Sequence, residues 1–499
     1  MRRPVAAAVA VAAAAANDNF MLRRTKIVAT LGPASSDQKV LEQMIRAGVD
    51  LVRMNFSHGS AQDHVKRAET VRAAAAVVGR TVGILADLQG PKIRVRKFEN
   101  DKIILNNGDT FILDAALDGP GNQERVGLDY KNLYKDVSKG SVLLLNDGML
   151  EFNVIEVKGY EIVCRVVRGG VLSNNKGINR KGGGLTAPAL TGKDREDIRT
   201  AALIRADYLA VSFPRSGDDM RLARELMEAA GGKSLLMAKI ERAEAIPALN
   251  DIIEASDAIM VARGDLSVEV GDAAVPGLQK RMIRMARAKN RLVITATQMM
   301  ESMITSPIPT RAEVSDVANA VLDGTDAVML SAETAIGDYP VETIEAMARI
   351  CLKAERELEE NVFDRRVVQQ RFTRIDQSIA MSALFAASHF KVKAIIALTQ
   401  SGSTPLWMSR VNAGVPIFAL TPLPETLSKV TLFSGVHPIA FHSEARGQAE
   451  EWHQIETTLV ERSLVKDGDM VVMTIGEAMG KSGHTNTMKI MRIGDHRKA

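Results

Sequence analysis

The sequence predicts an α/β chain: a closed (β/α)8 TIM barrel with an inserted β-rich lid domain and a C-terminal α/β domain. Three observations lead there. From Thr25 onward, eight short and almost continuously apolar runs alternate with helical patterns, as parallel strands buried on both faces do. The third unit breaks this beat with a long stretch of hairpin signals, built on Asn-Gly and Asp-Gly turns. A further set of strand and helix patterns follows the eighth unit, and 499 residues at about 150 per domain leave room for all three parts.

The barrel strands are expected at 25–32, 50–57, 81–88, 207–214, 234–241, 258–265, 291–298 and 326–333. Helices are expected at 37–48, 61–78, 193–204, 217–230, 243–255, 276–290 and 311–323. Residues 21–90 and 188–355 then form the barrel, with an open doubly wound sheet as the competing arrangement. Residues 91–187 form the lid, in which NNGDTFIL, SVLLLNDGMLEF and KGYEIVCRVV read as hairpin strands. A long helix beginning at GDYPVE leads out of the barrel, with a boundary near 355–370. Residues 356–499 make the last domain, with strands near 394–399, 416–421, 436–442 and 469–475. Residues 1–20 combine a basic start with an alanine-rich run too short to cross a bilayer. They are expected to be a disordered leader, or an upstream stretch misassigned to the chain, more readily than a signal peptide.

Composition narrows the function. Apolar residues are 46% of the chain and aromatics only 4%, so the core is aliphatic. Lys+Arg 64 against Asp+Glu 60 gives +4, too balanced for nucleic acid to be the main partner. No run suits a membrane span. Two distant cysteines, Cys164 and Cys351, exclude a disulfide framework and point to a reducing cytoplasm.

Active sites of such barrels collect at the C-terminal ends of the strands. Those ends carry Arg53, Asn55, Ser57 and His58, then Asp87, then Lys239 and Glu241. Arg263-Gly264-Asp265, Thr297-Gln298, Ser331 and Glu333 follow. Any one of these is explicable as a cap or a solvated residue; their convergence on one rim is not. Lys239 and Glu241 are two apart and share a face, and Asp265 ends the neighbouring strand, about 4.8 Å across a sheet. Two carboxylates so placed suit a hard divalent ion that keeps its waters, Mg2+ over Zn2+. A lysine beside them stabilises a developing enolate or a transferring phosphoryl group, unless it is only a salt bridge. Gly264 and Asp265, at a strand-to-helix turn, offer backbone N–H groups to a small carboxylate. Arg53 and Arg94 are candidate phosphate clamps.

The strings TKIVATLGPAS, RMNFSHGS, DLQGPKIR, KIERAEAI, MVARGDL, ITATQMMESMI, PTRAEVSDVANAVLDGTDAVMLSAET and GDYP resemble the pyruvate kinase family from about Met21 to the C-terminus. The resemblance implies phosphoryl transfer from phosphoenolpyruvate to ADP, giving pyruvate and ATP. By motif, Glu241 and Asp265 would hold Mg2+, and a second Mg2+ would arrive with the nucleotide. Lys239 would neutralise the phosphoryl group and the enolate, Arg53 would grip the phosphate, and Gly264 with Asp265 would bind the carboxylate. Thr297, with Ser331 behind it, would lie on the proton path. Asn55, Ser57 and Asp87 would form the monovalent-cation pocket, and His58, Arg94 and Lys176 would meet the nucleotide.

Two departures matter. Ser267 stands where the family usually has glycine, which would strain a left-handed backbone by about 1–2 kcal/mol. The stretch after Asp87 reads Leu88-Gln89-Gly90-Pro91-Lys92, where the K+-requiring form reads Thr-Lys-Gly-Pro-Glu. Lys92 is expected to fold back toward Asn55, Ser57 and Asp87 and replace the cation, so that K+ is not required. In the last domain, Thr399, Ser401, Ser403 and Thr404 form a hydroxyl-rich turn that resembles the family's effector loop, here for AMP or a sugar monophosphate. The family is typically a homotetramer. The competing readings are another Mg2+-enolate barrel acting on phosphoenolpyruvate or pyruvate, and a catalytically silent phosphosugar sensor.

Overall fold

Strands that are apolar on both faces are stable only when helices cover one side and packed side chains the other. In the computed structural model, which describes residues 22–358, 372–411, 414–443, 448–476 and 485–495, that requirement is met by a closed ring. The expected leader 1–20, and residues 359–370 of the expected domain boundary, lie outside the described residues.

The chain opens with β1 (Lys26–Thr30), β2 (Leu51–Asn55) and β3 (Gly83–Asp87). It then departs through β4 (Lys102–Leu105), β5 (Thr110–Asp114), β6 (Arg125–Gly127), β7 (Val142–Leu145), β8 (Leu150–Lys158), β9 (Glu161–Arg168), β10 (Gly170–Ser173) and β11 (Ile178–Arg180). It resumes with β12 (Tyr208–Val211), β13 (Leu235–Ile240), β14 (Ala258–Ala262), β15 (Leu292–Ala296) and β16 (Ala327–Leu330). β3 pairs directly with β12, and the ring closes β1-β16-β15-β14-β13-β12-β3-β2 with each pair parallel. The lid is thus an excursion between two adjacent staves. It folds as a β4–β10 pair and a six-stranded sheet around its own core, which includes Phe111, Phe152 and Leu143.

Two elements differ from expectation for local reasons. The helix expected at 243–255 divides into a 3-10 turn, Ala243–Ala245, and a helix, Leu249–Ala255, because Pro247 cannot continue the hydrogen-bond ladder. The strand expected at 258–265 stops at Ala262, and an extra helix, Arg263–Val270, begins at once.

The C-terminal domain is a sheet ordered β19-β18-β17-β20-β21. Its strands are β17 (Ala394–Leu398), β18 (Ile417–Thr421), β19 (Val436–Ala440), β20 (Met470–Ile475) and β21 (Thr487–Arg492). The last is antiparallel to β20 and was not among the expected strands, although Met488 and Ile490 alternate with Thr487 and Lys489.

This domain packs on the N-terminal ends of the barrel strands, the end opposite the polar rim. Tyr208, at the start of β12, donates its hydroxyl to Lys429 O at 2.6 Å. Lys26, at the start of β1, donates to Val436 O at 2.6 Å. Arg410 forks onto the buried carboxylate of Asp326, with Nη1 3.0 Å from Oδ2. The barrel interior (Val28, Leu85, Met237, Met260) and the domain's Ile395, Met408 and Phe433 belong to one apolar cluster. Arg410→Ala strands the Asp326 carboxylate without its counter-charge, a loss of about 3–5 kcal/mol. A denaturant titration is expected to show it as an earlier unfolding midpoint; a shift worth less than about 1 kcal/mol would contradict the interdomain role of the pair.

Candidate active site

The rim residues come together around Lys239. Its ammonium lies 2.9 Å from Glu241 Oε1 and 3.3 Å from Asp87 Oδ1, and donates to Ser212 Oγ at 2.8 Å. Strand alternation puts Lys239 and Glu241 on one face, and the β2–β3 register sets Asn55 beside Asp87. Asp87 Oδ2 in turn accepts from Arg53 Nε at 2.5 Å, and Arg53 Nη1 donates to Thr30 Oγ1 at 3.1 Å. Burial alone would raise the Asp87 carboxyl, but Lys239 and Arg53 outweigh it and hold it below its ordinary value. Burial likewise opposes the Lys239 ammonium, yet Asp87 and Glu241 keep it above its ordinary value. Glu241 is pushed up by burial, a rise that Lys239 counters and the neighbouring Asp265 reinforces.

Glu241 Oε2 accepts the Phe213 N–H at 2.9 Å, while Asp265 faces the ammonium of Lys92 at 3.2 Å. Lys92 therefore points to Asp265, whereas the expectation was the pocket of Asn55, Ser57 and Asp87. Asp87 already has two cationic partners, and the Lys92 stem runs past the Gly177 backbone of the lid toward the carboxylate that has none. Asn55 accepts the Ser57 N–H at 3.0 Å; both residues are partly buried, and His58 is exposed.

Glu241 and Asp265 fit a hard divalent cation. They are two oxygen donors on adjacent barrel segments, mutually repulsive, each already drawing an ammonium, with Asp265 a quarter exposed to admit water ligands. Among the described residues no group of three or more His, Cys, Asp or Glu is placed to hold a metal ion, so a preference for Mg2+ over Zn2+ rests on the two carboxylate oxygens alone.

Gly264 and Asp265 sit in the first turn of the helix Arg263–Val270. The Gly264 N–H, expected to be open to a carboxylate, donates to Thr297 Oγ1 at 2.8 Å. Thr297 and Gln298 are both left-handed, at φ 66° and 53°, costly for consecutive non-glycine residues and more so for a β-branched one. The buried Arg263 holds them there, with Nη2 2.7 Å from Thr297 O and 3.2 Å from Gln298 O and Nη1 2.8 Å from Asp316 Oδ1. Ser331 donates its N–H to Glu333 Oε2 at 2.7 Å, and Glu333 also accepts from Met300 N, which ties the eighth strand end to the seventh. The strain expected at Ser267 is absent: the residue is helical, and its hydroxyl donates to Gly264 O at 2.8 Å.

On the lid side, Arg94 bridges to Gly177, and Lys176 supplies its carbonyl to Val95 N, so both lie where the chain enters and leaves the lid. In the C-terminal domain, Ser401 Oγ bonds Ser403 Oγ at 3.2 Å, and Thr399 Oγ1 accepts Gly402 N at 2.9 Å. Lys429 Nζ donates to Ser401 O at 3.1 Å. Thr404 differs from its expected part, because its hydroxyl is turned inward onto Thr485 at 2.7 Å. Sequence reasoning missed Thr30, Ser212, Phe213 and the clamping role of Arg263. For Ser212 and Phe213 the signal was present: the fourth apolar run ends Val-Ser-Phe-Pro, a polar residue at a strand end like the others.

Comparison with known proteins agrees with this arrangement. Residues 22–344 match the family model for the pyruvate kinase barrel domain, and residues 377–491 match that for the pyruvate kinase alpha/beta domain. The chain is 55% identical to pyruvate kinase II of Salmonella typhimurium over 477 residues, 95% of this chain and 99% of that protein. It is 55% identical to the pyruvate kinase of Haemophilus influenzae, over 91% of this chain and 96% of that one. Against the pyruvate kinase of Mycobacterium intracellulare the identity is 40%, over 95% and 99%. Barrel, lid, rim chemistry and these matches together place the chain in the pyruvate kinase family of phosphotransferases.

Proposed function

We propose that the chain transfers the phosphoryl group of phosphoenolpyruvate to ADP in a Mg2+-dependent reaction, giving pyruvate and ATP as the last step of glycolysis. The observation that carries this reading is the buried set of Lys239, Glu241, Asp87 and Arg53, with Asp265 across from it. Phosphoryl transfer asks a protein mainly for positioning and for charge where charge develops. Glu241 and Asp265 would hold Mg2+, which when bound supplies Lewis-acid charge to phosphate and enolate oxygens. Arg53 turns from Asp87 to the phosphate, and Lys239 stabilises the charge on the phosphoryl group in flight. The bond between phosphorus and the enol oxygen breaks as a β-phosphate oxygen of ADP forms the new one. The substrate carboxylate takes the helix-start N–H groups of Gly264 and Asp265, displacing Thr297 Oγ1. Thr297, backed by Ser331, then lies on the route by which the enolate methylene carbon gains its proton. His58, Arg94 and Lys176 meet the nucleotide. Lys239→Met is expected to fold and to bind substrate yet lose at least a hundredfold in kcat, since a charge aimed at the transition state is removed. Near-normal kcat in that variant would remove Lys239 from the chemistry.

K+ is not required in this reading. Lys92, which faces Asp265 here, is released when that carboxylate takes Mg2+ and then supplies positive charge at the phosphoryl end alongside Lys239 and Arg53. The turn at Thr399, Ser401 and Ser403 takes an AMP or sugar monophosphate effector, a role that Lys429 beside Ser401 supports, while Thr404 stays turned inward. Exposed Ile308, just before the helix Arg311–Leu322, and Leu322, at its end, suit a contact between copies in a homotetramer, and two buried unpaired cysteines suit the cytoplasm. Pyruvate release from phosphoenolpyruvate and ADP, measured in Tris with and without KCl at constant ionic strength, tests both activity and cation independence. Turnover is expected without K+, and Lys92→Glu is expected to lose it and regain part when K+ is added. No ADP-dependent release would overturn the function, and a strong rise on adding K+ to the unaltered enzyme would overturn the role of Lys92.

A further inference from the structure

The lid returns to the barrel over two carboxylates that the chemistry above leaves unused. Glu269 lies one helical turn after Asp265, on the same helix, and is 4% exposed. Its Oε2 accepts the N–H of Ala243, two residues beyond Glu241, at 2.8 Å. Its Oε1 faces the side-chain amide of Asn179, in lid strand β11, at 3.4 Å, and its backbone carbonyl accepts Gly182 N at 3.1 Å. Glu244 holds the next stretch of the lid, accepting from Gly184 N and from Leu185 N, the latter at 3.2 Å. A Cβ at Gly183 would come within 2.7 Å of that carboxyl, so the approach is as close as a backbone allows. Between the two glutamates, Arg242 lies over the ring of Phe213, whose N–H bonds Glu241.

We propose that Glu269 is a positioning residue that locks the lid's return strand to the two segments bearing Glu241 and Asp265, so that lid seating and carboxylate spacing are set together. One side chain touches all three parts: its own helix, the segment after Glu241 and the lid. The joints are unequal. The Ala243 bond is tight, whereas the Asn179 contact is at the long limit for a hydrogen bond, which puts the play on the lid side. Burying a carboxyl here is expensive, and desolvation pushes Glu269 up to about 7 despite the Ala243 N–H, with Glu244 adding to the rise and Arg242 opposing it. Packing alone would be served at lower cost by an apolar residue of similar volume.

The proposal rests on the lid facing the nucleotide, and its test separates the two. Full-length Glu269→Ala, Asn179→Ala, the double variant, Glu269→Gln and Lys176→Ala are assayed for the KM of ADP and of phosphoenolpyruvate. Glu269→Ala and Asn179→Ala are each expected to raise the ADP KM roughly five- to tenfold, the range for one lost buried hydrogen bond, with the phosphoenolpyruvate KM within about twofold. The double variant is expected to be no worse than the worse single one, because both remove the same joint. Glu269→Gln keeps an acceptor for Ala243 and, after Asn179 turns its amide, the lid bond, so it is expected to restore the ADP KM. Asn179→Ala and Glu269→Gln keep the test decisive if Glu269→Ala fails to fold. Additive effects, equal rises in both KM values, or a Glu269→Gln variant as impaired as Glu269→Ala would overturn the coupling. If Lys176→Ala alone raises the ADP KM, the coupling falls and the lid reading stands. If no variant moves it, the lid reading falls and takes the coupling with it.

Discussion

The barrel mouth depends on how two buried carboxylates, Asp87 and Glu241, are neutralised. Taking an ion out of water costs several kcal/mol, and only close, well-partnered opposite charge offsets it. Lys239 meets both carboxylates at once, Arg53 takes the second oxygen of Asp87, and Phe213 N takes the second oxygen of Glu241. Every cation in this set is therefore matched by an anion, Arg53 by Asp87 and Lys239 by Asp87 and Glu241. Asp265 differs: it is more exposed and is met by a lysine from the segment that enters the lid. The carboxylate pair thus joins a rigid half from the barrel interior to a half that depends on how the lid sits.

The same barrel strands carry the interface with the C-terminal domain at their other ends. β12 begins with Tyr208, bonded to Lys429 O, and leads into Ser212 and Phe213, bonded by Lys239 and to Glu241. Lys429 also reaches the carbonyl of Ser401 in the hydroxyl-rich turn. A short, fully buried strand therefore joins one end of the barrel to the other, within a close-packed core that has little room to deform.

The eight staves were legible because strands buried on both faces are apolar along their whole length, a pattern helices of that size do not share. The rim carboxylates and Lys239 were legible because polar residues terminate those runs. What was not legible is set by through-space competition. Lys92 is directed by which carboxylate already has partners, and no local pattern reports that. A left-handed threonine at 297 contradicts the backbone preference of its own type and is held by Arg263 and Gly264, both far away in sequence. Ser267 shows the converse, since a substitution that looked strained on a string of letters is an ordinary helical residue in place. Pro247, Val-Ser-Phe-Pro and the short Thr-Met-Lys-Ile alternation of β21 were visible signals that went unread.

In the proposed reaction the working partner of Glu241 and Asp265, which Lys239 and Lys92 face here, is a divalent cation. Mn2+ binding to the enzyme without nucleotide, followed by electron paramagnetic resonance, tests it on the protein as it stands. One site per chain is predicted, with affinity falling roughly tenfold or more in Glu241→Gln. Unchanged Mn2+ affinity in that variant would contradict the account.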